Sequence, residues 1–212
     1  MHVYALVLVL AYLLGSIPTG YLVARARGVD IRSVGSGNIG ATNVLRALGK
    51  TAGILVLLID ALKGWTAVRL MAPWCIERFL PAAGIEAKDI AALIAAVAAV
   101  LGHNYTCWLG FKGGKGIATS AGVLTALVPW ALLIIFVVWV VCFLVTRYVS
   151  VGSMAASFTL PLATWFTTRS LTLTVVTGGM GALAIYKHRA NIQRLLSGTE
   201  PRFGRKAPEA AK

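Results

Sequence analysis

Acidic residues are scarce in this 212-residue chain: seven Asp+Glu stand against twenty Lys+Arg, a formal net charge of +13. Charged residues of both signs reach only 13%, about half the share of a soluble domain. Disorder driven by charge and a solvated coiled coil are both excluded. Cysteine is equally sparse. Cys75, Cys107 and Cys142 are odd in number and lack CxxC or Cys/His ligand spacing, which argues against a disulfide framework or a zinc site. The N-terminus has no basic n-region, and no small-residue cleavage site follows its first apolar run, so it reads as a retained helix. No Ser-His-Asp order and no paired carboxylates occur. What the chain has in quantity is apolar side chain: 58% before glycine is counted, with mean hydropathy +0.80. A soluble fold of this size has too little interior for that surface, so lipid must be the solvent for most of it.

Residues 3–24 form an apolar run long enough to cross about 30 Å of hydrocarbon, followed by a basic segment, 25–50. Further spans are read at 52–71 and around 90–101, with a loop at 72–89 between them. The run 117–145 exceeds one comfortable crossing and is split at a Pro129–Trp130 turn. Two more spans, 153–168 and 171–186, flank Thr167-Thr-Arg-Ser170. The reading is an all-α polytopic membrane protein of about seven transmembrane helices, some broken or short. With the N-terminus outside and the C-terminus inside, the cytoplasmic segments hold fifteen Lys/Arg against four outside, as the positive-inside rule requires. A five-span alternative keeps this orientation but places Arg147 outside and buries Arg169. Residues 1–204 are expected to form one domain, and the basic tail 205–212 to be disordered.

Every unusual polar stretch between spans then falls on one face. Gly35-Ser-Gly-Asn-Ile-Gly-Ala-Thr-Asn43, with Arg46 beyond it, reads as an anion-binding loop: glycines turn backbone N–H groups inward, and Ser36, Asn38, Thr42 and Asn43 add neutral donors. A flexible linker capping a short helix is the bland alternative. His103-Asn-Tyr-Thr-Cys-Trp-Leu-Gly-Phe-Lys-Gly-Gly-Lys-Gly116 brings Lys112, Gly113, Gly114, Lys115 and Gly116 to a helix start, which suits phosphate. It is not a Walker A loop, because Leu109 stands where glycine is required and Gly116 follows Lys115. A basic contact with lipid headgroups would explain its lysines but not its glycines. The third stretch, residues 186–200, carries His188, Asn191 and Leu195 on one helical face with Arg194 beside it; its charges could also simply hold a helix at the inner leaflet.

Weaker signals lie within spans. Gly15-Ser-Ile-Pro-Thr-Gly20 breaks the first span, and irregular backbone at that depth should line a cavity. Asp60 and Lys63 stand one turn apart, and each alone would cost about 2.5–3.5 kcal/mol at the bilayer centre, so they are expected to form a buried structural pair. Ser150-Val-Gly-Ser153 repeats the word Ser33-Val-Gly-Ser36, which nominates Ser153.

These motifs, ordered from Gly15 to Glu200, resemble those of the bacterial acyl-phosphate-dependent glycerol-3-phosphate acyltransferases, a family of integral inner-membrane enzymes. The resemblance implies transfer of an acyl group from acyl phosphate to the 1-hydroxyl of sn-glycerol 3-phosphate, giving lysophosphatidic acid and inorganic phosphate at the cytoplasmic face. Two positions depart from the family's pattern: Thr106 stands where proline is frequent, which would loosen the loop, and Ala190 where glutamate is frequent. An acyl phosphate is a mixed anhydride with a good leaving group, so positioning and charge stabilisation suffice, and direct transfer without an acyl-enzyme is inferred. Ser36, Asn38 and His188 are the candidate catalytic residues. Gly37, Gly40, Thr42, Asn43, Arg46, His103, Lys112, Gly113, Gly114, Lys115, Gly116, Ser153 and Asn191 are the candidate substrate-binding residues. The base is His188 or a substrate phosphate oxygen. No metal, cofactor, nucleic acid or obligate protein partner is implied; the partners are the two substrates and membrane lipid. A transporter or channel for a small phosphorylated solute is the competing reading, since broken helices and intramembrane charges suit it.

Overall fold

Backbone in lipid must satisfy its own hydrogen bonds, and the chain does so with helices. The computed structural model describes residues 1–204, and every regular element among the described residues is helical. The expectation for the tail from Arg205 lies outside them. The helices gather into two compact units, Met1–Pro129 and the chain from Trp130 onward.

In the first unit the opening span is two helices, α1 (His2–Ser16) and α2 (Thr19–Arg25). Pro18 has no N–H and forces Ile17 out of the helical region, with ψ at 113°, so the ladder breaks there. The Gly35 loop leads into α3 (Ala41–Leu48), and Gly49 turns the chain into α4 (Lys50–Thr66). α4 does not stop at the expected boundary. It widens into a π turn over Ala67–Met71 and continues as α5 (Ala72–Phe79), within the segment read as a loop. Pro73 is the cause: it cannot donate to the carbonyl one turn back, and a π turn just before it accommodates the missing bond.

Two further helices complete this unit, α6 (Ile85–Asn104) and α7 (Ile117–Leu127). Bare glycine faces bring the long helices together. A Cβ at Gly15 would strike the Ala99 backbone and one at Gly102 the Tyr12 carbonyl, which sets α1 against α6. Gly64 and Gly122 do the same for α4 and α7, facing the carbonyls of Thr119 and Ala61. In lipid, where hydrophobicity does not drive helices together, such close backbone approach is a main source of packing energy.

The second unit holds α8 (Pro129–Thr146), α9 (Val149–Thr168), α10 (Leu171–Lys187) and α11 (Arg189–Leu196). The expected split of the 117–145 run is present, though Val128 makes the turn and Pro129 opens α8. The missing N–H at such a first helical position costs nothing. α7 has only 11 residues, about 16 Å, roughly half the hydrocarbon thickness. Pro161 inside α9 leaves the Ser157 carbonyl without its usual donor, and Gly181 lets α10 lie directly against that carbonyl. α8 buries only Ala131 and Ile135 and exposes Trp130, Phe136, Val137 and Val145, as a lipid-facing helix should. Among the described residues, three helices are long and apolar enough to cross a membrane: His2–Arg25 taken through its break, Pro129–Thr146 and Val149–Thr168.

Candidate active site

The 35–43 loop is built around one side chain. Asn43, buried on α3, donates Nδ2–H to the carbonyls of Val34 at 2.9 Å and Asn38 at 2.9 Å, with Ile31 at 3.3 Å. Its Oδ1 accepts from the Ser36 amide at 3.0 Å. Gly35 and Gly37 take positive φ, 60° and 67°, and at Gly35 a Cβ would also collide with Asn43 Oδ1. Buried Ile31 and Ile39 peg the loop to Ala24, Val44 and Val56. Gly20, from the broken span, makes room for the Ile39 carbonyl, so these two motifs form one structure. At the loop's entry Arg32 chelates Asp30 at 2.8 and 3.0 Å, and these bonds lower that carboxyl to about 2. The pair is largely exposed and adds little stability.

The glycine-rich segment after α6 folds back onto that helix's end. Gly113 donates its amide to the Asn104 carbonyl at 3.2 Å, and Gly114 to the His103 carbonyl at 3.0 Å. A Cβ at Gly113 would meet the His103 carbonyl, and one at Gly114 would meet His103 Nε2. Gly116, at φ 79°, faces the Asn104 side chain. These glycines permit docking rather than bare approach to an anion. The amides of Ser36, Gly37, Gly40, Gly113 and Gly114 all bond within the first unit. Of the candidate side chains, Ser36, Arg46 and Lys112 are exposed and Asn38, Thr42 and Lys115 half-buried. The Asn43 amide is engaged on both sides and organises the loop.

Beneath this loop lies a buried polar cluster. Lys63 Nζ contacts Asp60 Oδ1 at 2.8 Å, the Ile17 carbonyl at 2.9 Å and His103 Nδ1 at 3.0 Å. The expected ion pair is present, and its lysine also donates to the Ile17 carbonyl at the helix break, which accepts from the Thr19 amide as well. The hydroxyl of Thr106, fully buried, donates to the neighbouring Ser16 carbonyl. Thr106 therefore ties the segment down, contrary to the expected loosening. Tyr12 adds a second tie through its hydroxyl, which donates to the Tyr105 carbonyl at 2.6 Å.

The second unit carries its own polar cluster. His188, buried between α10 and α11, donates Nδ1–H to the Ala184 carbonyl at 2.8 Å. Glu200 is buried and accepts from Ser150 at 2.6 Å, Asn191 at 2.7 Å and Arg194 at 2.8 Å. Burial pushes its carboxyl up, but those three hydrogen bonds outweigh burial and leave it below the ordinary range. The Ser153 hydroxyl donates to the Val149 carbonyl at 2.9 Å and accepts from Trp139 at 3.2 Å, whereas Ser150 of the repeated word bonds Glu200. Glu200 was missed as a site residue, although a carboxylate retained in a chain so poor in acids was the available signal.

A family profile described as glycerol-3-phosphate acyltransferase matches residues 5–198. A glycerol-3-phosphate acyltransferase of Thermosynechococcus vestitus is 46% identical over 200 residues, covering 94% of each chain. One of Geobacter sulfurreducens is 47% identical over 193 residues, covering 91% of this chain and 94% of that one. A crystal structure of PlsY, an integral membrane glycerol 3-phosphate acyltransferase in its glycerol 3-phosphate form, superposes with a TM-score of 0.83 at 43% identity, covering 95% of this chain and 96% of that one. Its lysophosphatidic acid form gives 0.80 at 42%, covering 95% of each.

Proposed function

The chain belongs to the glycerol-3-phosphate acyltransferase family, integral membrane proteins by their solved member, and we propose that its acyl donor is acyl phosphate. The 1-hydroxyl oxygen of sn-glycerol 3-phosphate attacks the acyl carbon, the bond from that carbon to the phosphate oxygen breaks, and inorganic phosphate leaves. The hydroxyl proton passes to His188 or to a phosphate oxygen. His188 suits the part: with Nδ1–H committed to the Ala184 carbonyl, the neutral ring carries its lone pair on Nε2. Arg46, Lys112 and Lys115 supply charge to the phosphates, and Ser36, Asn38 and Thr42 supply neutral donors. Asn191, positioned by Glu200, adds a further polar contact from its own unit.

One observation carries the donor assignment. Arg46 follows the first loop and Lys112 and Lys115 flank the glycines of the second, so these segments carry three cations, while Asp30 contacts Arg32 and Asp60 contacts Lys63. Such a field favours a departing phosphate, whereas a thiolate offers no oxygens to grip. His103 does lie 3.7 Å from Asp60, but Lys63 is nearer to both groups, so the carboxylate is not a relay for a histidine base. Purified protein with glycerol 3-phosphate should form lysophosphatidic acid and release phosphate with acyl phosphate alone. Inorganic phosphate should inhibit competitively against the donor. Comparable turnover with acyl-CoA or acyl-carrier protein would overturn the assignment, and no turnover with any donor would favour the transporter.

We further propose a bacterial inner-membrane location with the reacting groups at the cytoplasmic face and seven crossings. Single cysteines at Ser36, Lys115, His188 and Arg147, in a chain lacking its three native cysteines, should label only from the cytoplasmic side of sealed vesicles. A cysteine at Arg169 should label only from outside. External labelling at position 147 would support five crossings instead.

A further inference from the structure

α11 is held with little apolar help. It has eight residues, and the side chain it buries is a polar one, Asn191, so neither length nor core packing fixes its rotation. Gly198, at φ 72°, turns the chain back at the helix end, where the amides of Thr199 and Glu200 donate to the Arg194 carbonyl at 2.8 and 3.1 Å. The chain then runs along the turn between α8 and α9. Glu200 accepts from Ser150 at 2.6 Å, Arg202 Nε donates to the Tyr148 hydroxyl at 2.9 Å, and the Phe203 amide donates to the Arg147 carbonyl at 2.8 Å. As the chain climbs from Glu200 to Phe203, its partners descend from Ser150 to Arg147, which is the order of an antiparallel pairing. Arg147 ends α8 at φ 61°, in the left-handed conformation common just past a helix end. Side chains reinforce the pairing. The Phe203 ring meets Phe143 edge-on at 5.4 Å, and the Arg202 guanidinium lies 5.2 Å from the centre of the Tyr148 ring.

We propose that residues 200–203 form a strap that fixes the rotation of α11, which makes Arg202 and Phe203 positioning residues for Asn191. Glu200 is the link. Its Oε1 accepts from both Ser150 of α9 and Asn191 of α11, and its Oε2 accepts from Arg194. The bonds of Arg202 and Phe203 to the α8–α9 turn hold that carboxylate at the junction of the two helices. With the strap released, Glu200 is tied to α9 through Ser150 alone, and the Asn191 amide turns with α11. This inference rests on Asn191 as a contact to glycerol 3-phosphate, not on which acyl donor is used.

Hydrogen exchange of the full-length protein in lipid nanodiscs should show the Phe203 amide protected by its bond to Arg147. Free exchange there would overturn the strap. In the Arg202→Ala/Phe203→Ala double variant the α11 amides should exchange faster while those of α9 stay protected. Its KM for glycerol 3-phosphate should rise about fivefold to tenfold, the scale of one ordinary hydrogen bond, with kcat within about twofold. A strap that served the fold alone would instead lower the active fraction, and so kcat, at constant KM; that pattern, or no change in either constant, would overturn the proposal. Arg202→Lys/Phe203→Leu keeps a cation by Tyr148 and an apolar side chain on Phe143, and should recover most of the KM. In the Asn191→Ala background the double change should add less than about twofold to KM, the non-additivity of residues acting through one group. Equal increases in both backgrounds would show that the strap does not act through Asn191. If the double variant does not fold, Tyr148→Phe, which removes only the acceptor of Arg202, carries the same comparison. Asn191→Ala with an unchanged KM would overturn the contact reading of Asn191 and the positioning role with it. The exchange needs no substrate, and the kinetics can use whichever donor turns over, so failure here is separable from failure of the acyl-phosphate assignment.

Discussion

Gly114→Ala is expected to lower kcat/KM by roughly a hundredfold or more, the scale associated with an ångström of misplacement in a positioned site. The added methyl would occupy the place of His103 Nε2. Neither partner can yield cheaply. Gly114 is held by its amide bond to the His103 carbonyl, and the imidazole is held by Lys63. The loop carrying Lys112 and Lys115 must shift, and the cations move with it. Gly113→Ala meets the His103 carbonyl itself and should reduce folding yield in addition. Gly179→Ala is the control, because a Cβ there meets nothing within 4 Å, and it should retain full activity and melt no lower. Turnover and thermal unfolding in the same detergent measure both effects. Gly114→Ala with ordinary kinetics would return the loop to a basic contact with lipid headgroups.

Asn43→Ala is expected to abolish most activity and to destabilise the first unit by about 2–4 kcal/mol, given about 1–3 kcal/mol for each buried polar group left unsatisfied. The substitution strands the carbonyls of Val34 and Asn38 and the Ser36 amide, and Ser36, Asn38 and Arg46 lose their common frame. Asn43→Asp should be at least as harmful. A carboxylate still accepts from Ser36 but repels the two carbonyls, and it sets a negative charge beneath a phosphate loop. Direct substrate contact by Asn43 would give a different pattern: normal melting with a raised KM for glycerol 3-phosphate. Denaturation and steady-state kinetics of the same preparations separate the two roles.

The sequence by itself determined the class of solvent, the helical fold and the places where helices break. Lipid-facing length, Pro18 and Pro129 act locally, through backbone hydrogen bonds that any neighbour in sequence can reveal. It also determined which motifs matter, since glycines beside lysines and a scarcity of acids are visible without coordinates. The π turn before Pro73 was not read, because periodicity cannot distinguish a widened helix from one that ends. Which atoms of the motifs are engaged was decided only by tertiary structure. The glycines of both loops were legible as close approaches, but what approaches them is Asn43 in one and His103 in the other, eight and eleven residues distant. Lys63 meets Asp60 at helical spacing, so that pair could be expected. The third acceptor, His103, lies forty residues away and the Ile17 carbonyl forty-six. Side-chain hydrogen bonds over such separations depend on how helices cross, and in this chain that is set by glycine faces such as Gly15 against Ala99 and Gly64 against Thr119.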